Sequence, residues 1–366
     1  MLILLATVAV FVLALLGLLV HWSPGRPAPL VDARGEALPN ALSEKVHVDI
    51  NGVPQGMILK SKDVTHPVLL YVHGGMPDYF LTQDHPTGWE DDFTVAWWEQ
   101  RGSGMSYRKD IPPETMTMEQ LIADVLAVTR YLCGRFHQDK IYLVGHSGGT
   151  FIGIQAAARA PELFHAYVGV AQMTYQLESE RRAHAYMLER YRAAGDARMV
   201  RKLEAAPVTL EGGTPPGYVA IRDTAMHDLG VGTMHEMRSL LTGLLIPSLR
   251  FPEYTLGEKI DLWAAKSKAG VSVVWGEMLS TDLRARLRRV DVPVYFLHGT
   301  FDQTVSYDLA REYLDALDAP VKGFYSFDAS AHSPMFEEPD KVRRVLREDV
   351  LRGRSSLADA AAHAAR

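Results

Sequence analysis

The stretch that most narrows the possible folds is Ile141 to Arg159 (IYLVGHSGGTFIGIQAAAR). Ile141 to Val144 is apolar at every position, as in a strand buried on both faces, and Gly149 to Arg159 reads as a helix stopped by Pro161. Gly145-His146-Ser147-Gly148-Gly149 joins the two. A chain that passes from strand to helix across so few residues must turn sharply, and glycines remove the Cβ atoms that would collide there. The same strand-helix rhythm recurs along the chain. Val46 to Ile50 and Met57 to Lys60 flank Asn51-Gly52, a hairpin signal. Pro67 to Val72, Phe93 to Trp98, His165 to Val170, Val294 to Leu297 and Val321 to Phe327 read as strands, and Met118 to Phe136, Ser306 to Leu317 and Pro339 to Leu351 as helices. The pattern implies an α/β fold with a mostly parallel sheet and helices on both faces.

The rhythm lapses from Met173 to Arg289, which is helix-rich and strand-poor. Residues 173–289 are therefore expected to form a helical cap inserted into one core made of residues 42–172 and 290–352, with an Ala-rich, flexible tail at 353–366. Met1 to Val20 (MLILLATVAVFVLALLGLLV) carries no charge. At ~1.5 Å per helical residue such a run spans the ~30 Å core of a bilayer. Residues 1–21 are expected to be a transmembrane anchor, and residues 22–41, with Pro24, Pro27 and Pro29, an extended linker. A cleaved signal peptide is the rival reading, although HWSPGRPAP offers no clear cleavage site. The flanking charges do not decide which side of the membrane the body occupies.

Composition closes other routes. A net charge of −6 supplies no basic field for nucleic acid, and the single Cys133 forbids an intrachain disulfide or a multi-Cys metal site. The chemistry must come from other side chains. Ser147 lies in a Gly-x-Ser-x-Gly motif between strand and helix, the setting in which a strained turn exposes a serine hydroxyl at a helix N-terminus. A serine needs a base to become nucleophilic. His332 follows the last strand in ASAHSP, and Asp302 follows the strand before it in HGTFDQ, which gives the chain order Ser, Asp, His. Asp328, on the histidine's own loop, is the competing acid; His146 and His298 are not expected to act as bases. His73-Gly74-Gly75-Met76-Pro77 follows the strand Pro67 to Val72, where Gly75 and Gly148 would donate backbone N–H groups to an oxyanion.

HGG, EQRGSGMS (Glu99 to Ser106), GHSGG, HGTFD and AHSP, in this order, resemble the α/β-hydrolase superfamily over Val46 to Leu351. More narrowly, EQRGSGMS is similar to the DQRG-x-G-x-S segment of the prolyl aminopeptidase (proline iminopeptidase) branch, and HGGMP to its HGGPG. The chain departs from that branch at Gly148, where Trp is usual, at Glu99, where Asp is usual, and at Met76, which interrupts Gly-Gly-Pro. The resemblance implies a hydrolase that forms an acyl-enzyme on Ser147, with no metal or organic cofactor. Its substrate would be a small molecule or short peptide, cleaved at an ester or amide bond. In the aminopeptidase branch, cap carboxylates bind the free amine, a role for which Glu178 or Glu180 would be candidates; the plainer reading of that charge run is a solvated helix face. A catalytically silent binding protein on the same fold is the alternative from another class.

Overall fold

Eight strands form one sheet in the order β1-β2-β4-β3-β5-β6-β7-β8 in the computed structural model, which describes residues 1–266 and 270–360. β1 (Leu42–Ile50) and β2 (Val53–Ser61) pair antiparallel around Asn51 and Gly52, whose φ values of 50° and 78° are those the expected tight turn requires. β3 (Val68–Val72), β4 (Thr94–Trp98), β5 (Ile141–His146), β6 (Phe164–Val170), β7 (Val294–Gly299) and β8 (Lys322–Phe327) run parallel, and β2 joins β4 antiparallel. Alternate residues of the strands face opposite layers. Leu70, Leu143 and Phe296 pack against α2 (Met118–Phe136) and α3 (Gly148–Arg159), whereas Leu69, Val144 and Leu297 pack on the other side, against Val342 and Leu346. This is the α/β-hydrolase fold that the motif resemblance implied, with the mostly parallel sheet expected from the strand-helix rhythm.

Preceding the sheet, α1 (Leu2–His21) is apolar along its length, and none of its residues from Ile3 to His21 is buried in the body. Between β6 and β7 come α4 (Gln176–Ala193), α5 (Ala197–Glu204), α6 (Pro216–Asp228), a π-helical turn over Leu241–Leu245, α7 (Ile246–Arg250), α8 (Leu256–Ala265), α9 (Trp275–Ser280) and α10 (Leu283–Arg286). α4 to α6 have a core of their own around Met187, Leu203 and Tyr218. After β7 follow α11 (Tyr307–Ala316), α12 (Pro334–Glu337) and α13 (Pro339–Glu348).

Two segments are more tightly held than their composition suggested. The Pro-rich linker docks on the body: the Gly25 N–H donates to Pro252 O at 3.0 Å, and the Ala28 N–H to Glu253 Oε1 at 2.9 Å. Buried Lys259 donates to Trp22 O at 2.7 Å and to Ser23 Oγ at 2.9 Å. Similarly, the start of the expected flexible tail is fixed: Ser356 and Leu357 donate their N–H groups to Asp349, and Asp359 accepts from the Ser326 N–H. The six last residues of that tail, 361–366, lie outside the described residues.

Candidate active site

Ser147 sits at φ 53° and ψ −124°, between the end of β5 and the first residue of α3. This backbone conformation is rare for a residue with a side chain and is stable only when its surroundings enforce it. The enforcement is visible on both sides. The Ser147 N–H donates to Val170 O and its carbonyl accepts from the Thr150 N–H. A Cβ at Gly149 would lie 2.1 Å from Val72 O, and one at Gly145 would lie 2.8 Å from Gly149 O, so the turn packs against the neighbouring backbone where only glycine fits. Gly74 abuts the serine directly: a Cβ there would be 2.7 Å from Ser147 Cβ.

Asp302, in the turn after β7, and His332, in the loop after β8, approach from neighbouring strand ends. His332 Nδ1 donates to Asp302 Oδ2 at 2.8 Å, while Asp302 Oδ1 accepts from the N–H groups of Thr304 (2.8 Å) and Val305 (3.0 Å). Burial alone would raise the Asp302 carboxyl, but attraction to His332 and hydrogen bonds from His298 and His332 hold it well below the usual carboxylate range. Burial lowers the His332 imidazole below its usual value, against the opposing pull of Asp302. Among the described residues the His332 side chain bonds Asp302 alone, which leaves Nε2 for a second partner; Ser147 and His332 line the same cavity of about 270 Å³. The competing acid, Asp328, is exposed and does not bond His332.

Two histidines set aside as bases support this pair. His298 Nε2 lies 3.1 Å from Asp302 Oδ2. His146 Nε2 donates to the carbonyl of His332 at 3.1 Å, and its Nδ1 faces Asp78 Oδ2 at 3.0 Å. Sequence reasoning missed both roles; for His298 the available signal was its i, i+4 spacing to the acid. Gly75 lines the cavity with nothing within 4 Å of its Cβ position, and Gly148 opens α3, so both candidate oxyanion donors belong to backbone beside Ser147. The loop carrying Gly75 is braced by the EQRG segment. Gln100 Nε2 donates to His73 O at 2.6 Å, and buried Arg101 pairs with Asp124 at 2.7 Å. Glu99 accepts from the Met105 N–H and the Tyr254 hydroxyl, and burial pushes its carboxyl up to about 7 despite these bonds.

The cap carboxylates are neither solvated nor free. Glu178 is held by Arg181 and Arg182 at 2.6 and 2.9 Å, and the Arg181 hydrogen bond leads the effects that bring it down to about 2. It does not line the Ser147 cavity. Glu180 is 1% exposed and is taken up by Arg222, Tyr218 and Gln176 at 2.7 to 2.8 Å. Both carboxylates, read from the sequence as amine ligands or as an open helix face, are thus met by arginines. The cap instead lines the cavity with Met226, Leu240 and Leu244, opposite Phe80 and Leu81 of the core. Arg222, Asp223 and Lys266 form its polar side and continue into an adjoining cavity of about 520 Å³.

Comparison with known proteins agrees with this architecture. Residues 66–206 match the family model described as serine aminopeptidase, S33. A probable aminopeptidase of Bacillus subtilis is 28% identical over 305 residues, covering 82% of this chain and 93% of that protein. The proline iminopeptidase of Mycobacterium smegmatis superposes with a TM-score of 0.58 at 16% identity, over 84% of this chain and 98% of its own. A membrane phospholipase A described as a bacterial virulence factor superposes with the same TM-score of 0.58 and 16% identity over 96% of both chains. The chain is a hydrolase with the α/β-hydrolase fold, and it resembles the prolyl aminopeptidase-like members of that superfamily.

Proposed function

We propose that the chain is a serine hydrolase that cleaves an ester or amide acyl bond through Ser147, Asp302 and His332. The observation that carries this reading is the Asp302–His332 hydrogen bond of 2.8 Å, with His332 and the strained Ser147 turn lining one cavity. His332 Nε2 takes the proton of Ser147 as Oγ attacks the carbonyl carbon, and Asp302 stabilises the imidazolium. The N–H groups of Gly75 and Gly148 receive the oxyanion, each such donor contributing on the order of 3 kcal/mol in the transition state. His332 then protonates the leaving alcohol or amine, which departs, and water, deprotonated by His332, releases the acid and restores Ser147. The apolar wall of Phe80, Leu81, Met226 and Leu244 suits an apolar acyl group.

An N-terminal, proline-type aminopeptidase is the second reading, favoured by the aminopeptidase relative and the matching family model. With Glu178 and Glu180 committed to arginines, its amine anchor would have to be another carboxylate, and Asp223 lines both cavities. We also take α1 to be a membrane anchor, on its length and its unburied apolar surface. A fluorophosphonate probe is expected to label the wild-type chain and not Ser147→Ala; equal labelling of both would remove Ser147 as the nucleophile. Short acyl esters assayed beside proline arylamides then separate the two substrate classes, and hydrolysis confined to arylamides would favour the second reading.

A further inference from the structure

The clamp on the linker fixes the depth of the cap relative to α1. Trp22 follows directly after the last residue of α1, the position at which tryptophans concentrate at membrane interfaces. Its carbonyl is held at 2.7 Å by Lys259 Nζ, which also donates to Leu249 O at 2.7 Å. Ile260 is the next residue after Lys259, and Ile246 is one helical turn from Leu249, about 5 Å along the axis. Both side chains are exposed, Ile260 by 61% and Ile246 by 40%, and so is Leu241 of the π-helical turn by 57%. The opposite side of this turn lines the Ser147 cavity through Leu240 and Leu244. Leu241 and Ile246 thus face outward, with Thr242 and Arg250 the exposed polar residues beside them, while Leu240 and Leu244 face the cavity, a pattern that suits a wall between an apolar cavity and a lipid interface.

We propose that the outer side of residues 241–260 is seated in the bilayer interface beside α1, and that an acyl-bearing amphiphile reaches Ser147 from the membrane across this wall. The proposal rests on the anchor and acyl-substrate readings above. Continuity argues for lipid as the occupant. Ile260 and Ile246 lie within a helical turn of Lys259 and Leu249 at the clamp on the end of the apolar helix, and Gly25, at φ 71°, packs so closely on Thr255 that any Cβ would strike its methyl group.

The test uses the full chain in phosphatidylcholine vesicles, with Cys133→Ser and one introduced cysteine carrying a fluorophore at position 13, 246, 260 or 291. Position 291 precedes β7, at the end of the strands away from the catalytic loops. Lipids bearing nitroxide quenchers are expected to reduce emission by about half or more at positions 13, 246 and 260 and to leave position 291 unchanged. Quenching at 13 without quenching at 246 and 260 overturns the docking and leaves the anchor standing; no quenching at 13 removes the anchor and the docking together. Shielding at 246 and 260 that depends on protein concentration, without quenching by lipid, assigns the face to a second copy and overturns the proposal. For the supply route, Ile260→Asp is expected to lose on the order of tenfold in turnover of a vesicle-borne acyl ester, the factor for burial of about one apolar side chain, and nothing on a short soluble ester. Equal loss on both substrates, or on neither, overturns that route.

Discussion

The strand-end loops and the inserted helices solve the burial of charge in different ways. At the strand ends, Asp302 is buried but bonded to two backbone N–H groups of its own loop, to His332 of the loop after β8 and to His298 of β7 itself. In the cap, Glu178 and Glu180 are buried against arginines of α4 and α6. The first arrangement holds His332 and leaves its Nε2 for a second partner, whereas the second uses its charges within α4, at Glu178, and between α4 and α6, at Glu180. A buried charge is therefore a clue to chemistry only after its partners are known.

The contrast predicts opposite outcomes for substitutions in the two regions. Asp302→Asn should leave folding intact and lower kcat by about 10⁴, the cost of losing the orienting acid of such a triad, while Asp328→Asn should leave steady-state turnover unchanged. The reverse result would move the acid to the histidine's own loop. In the cap, Arg222→Ala should act on stability: it strands the Glu180 carboxylate, and removal of one partner from a buried pair costs about 3–5 kcal/mol. Urea denaturation measures this, and Arg222→Ala combined with Glu180→Gln should recover most of the loss. A cap pair that could be broken without destabilisation would erase the distinction drawn here. The smallest effect concerns pH. Neutral imidazole is the form that accepts the serine proton, and burial lowers the His332 pKa below 6.5, so activity should persist into acid. The acid limb of kcat/KM should have its midpoint below pH 6.5, and a midpoint above it would mean that Asp302 outweighs burial.

The core was legible because its signals are local. A run such as Val68 to Val72 bounded by turn residues, or Asn51-Gly52 between two extended stretches, carries its conformation within a few residues. The strained turn at Ser147 was legible for the same reason, since Gly145 and Gly149 state the steric problem on either side of it. The partners of Glu180 were not, because Arg222 and Tyr218 come from a helix about forty positions later and helical periodicity says nothing about which helix meets which. His146 was set aside as a base, but its bond to the His332 carbonyl spans 186 positions and has no local signature. The Pro-rich linker misled for a related reason: its composition describes the free chain, and Lys60, Glu253 and Lys259 decide its docked state.

The Lys259–Trp22 contact also orders events during biosynthesis. Its partners are separated by 237 residues, so a ribosome delivers the end of the apolar helix long before the lysine that grips it. At synthesis rates of about 5–20 residues per second, the two are made more than ten seconds apart. Through that interval the helix has already emerged and the linker behind it has no dock. Emergence of the apolar helix and its attachment to the finished body are thus successive steps, and the position of the body relative to that helix is set only when the second half of the chain arrives.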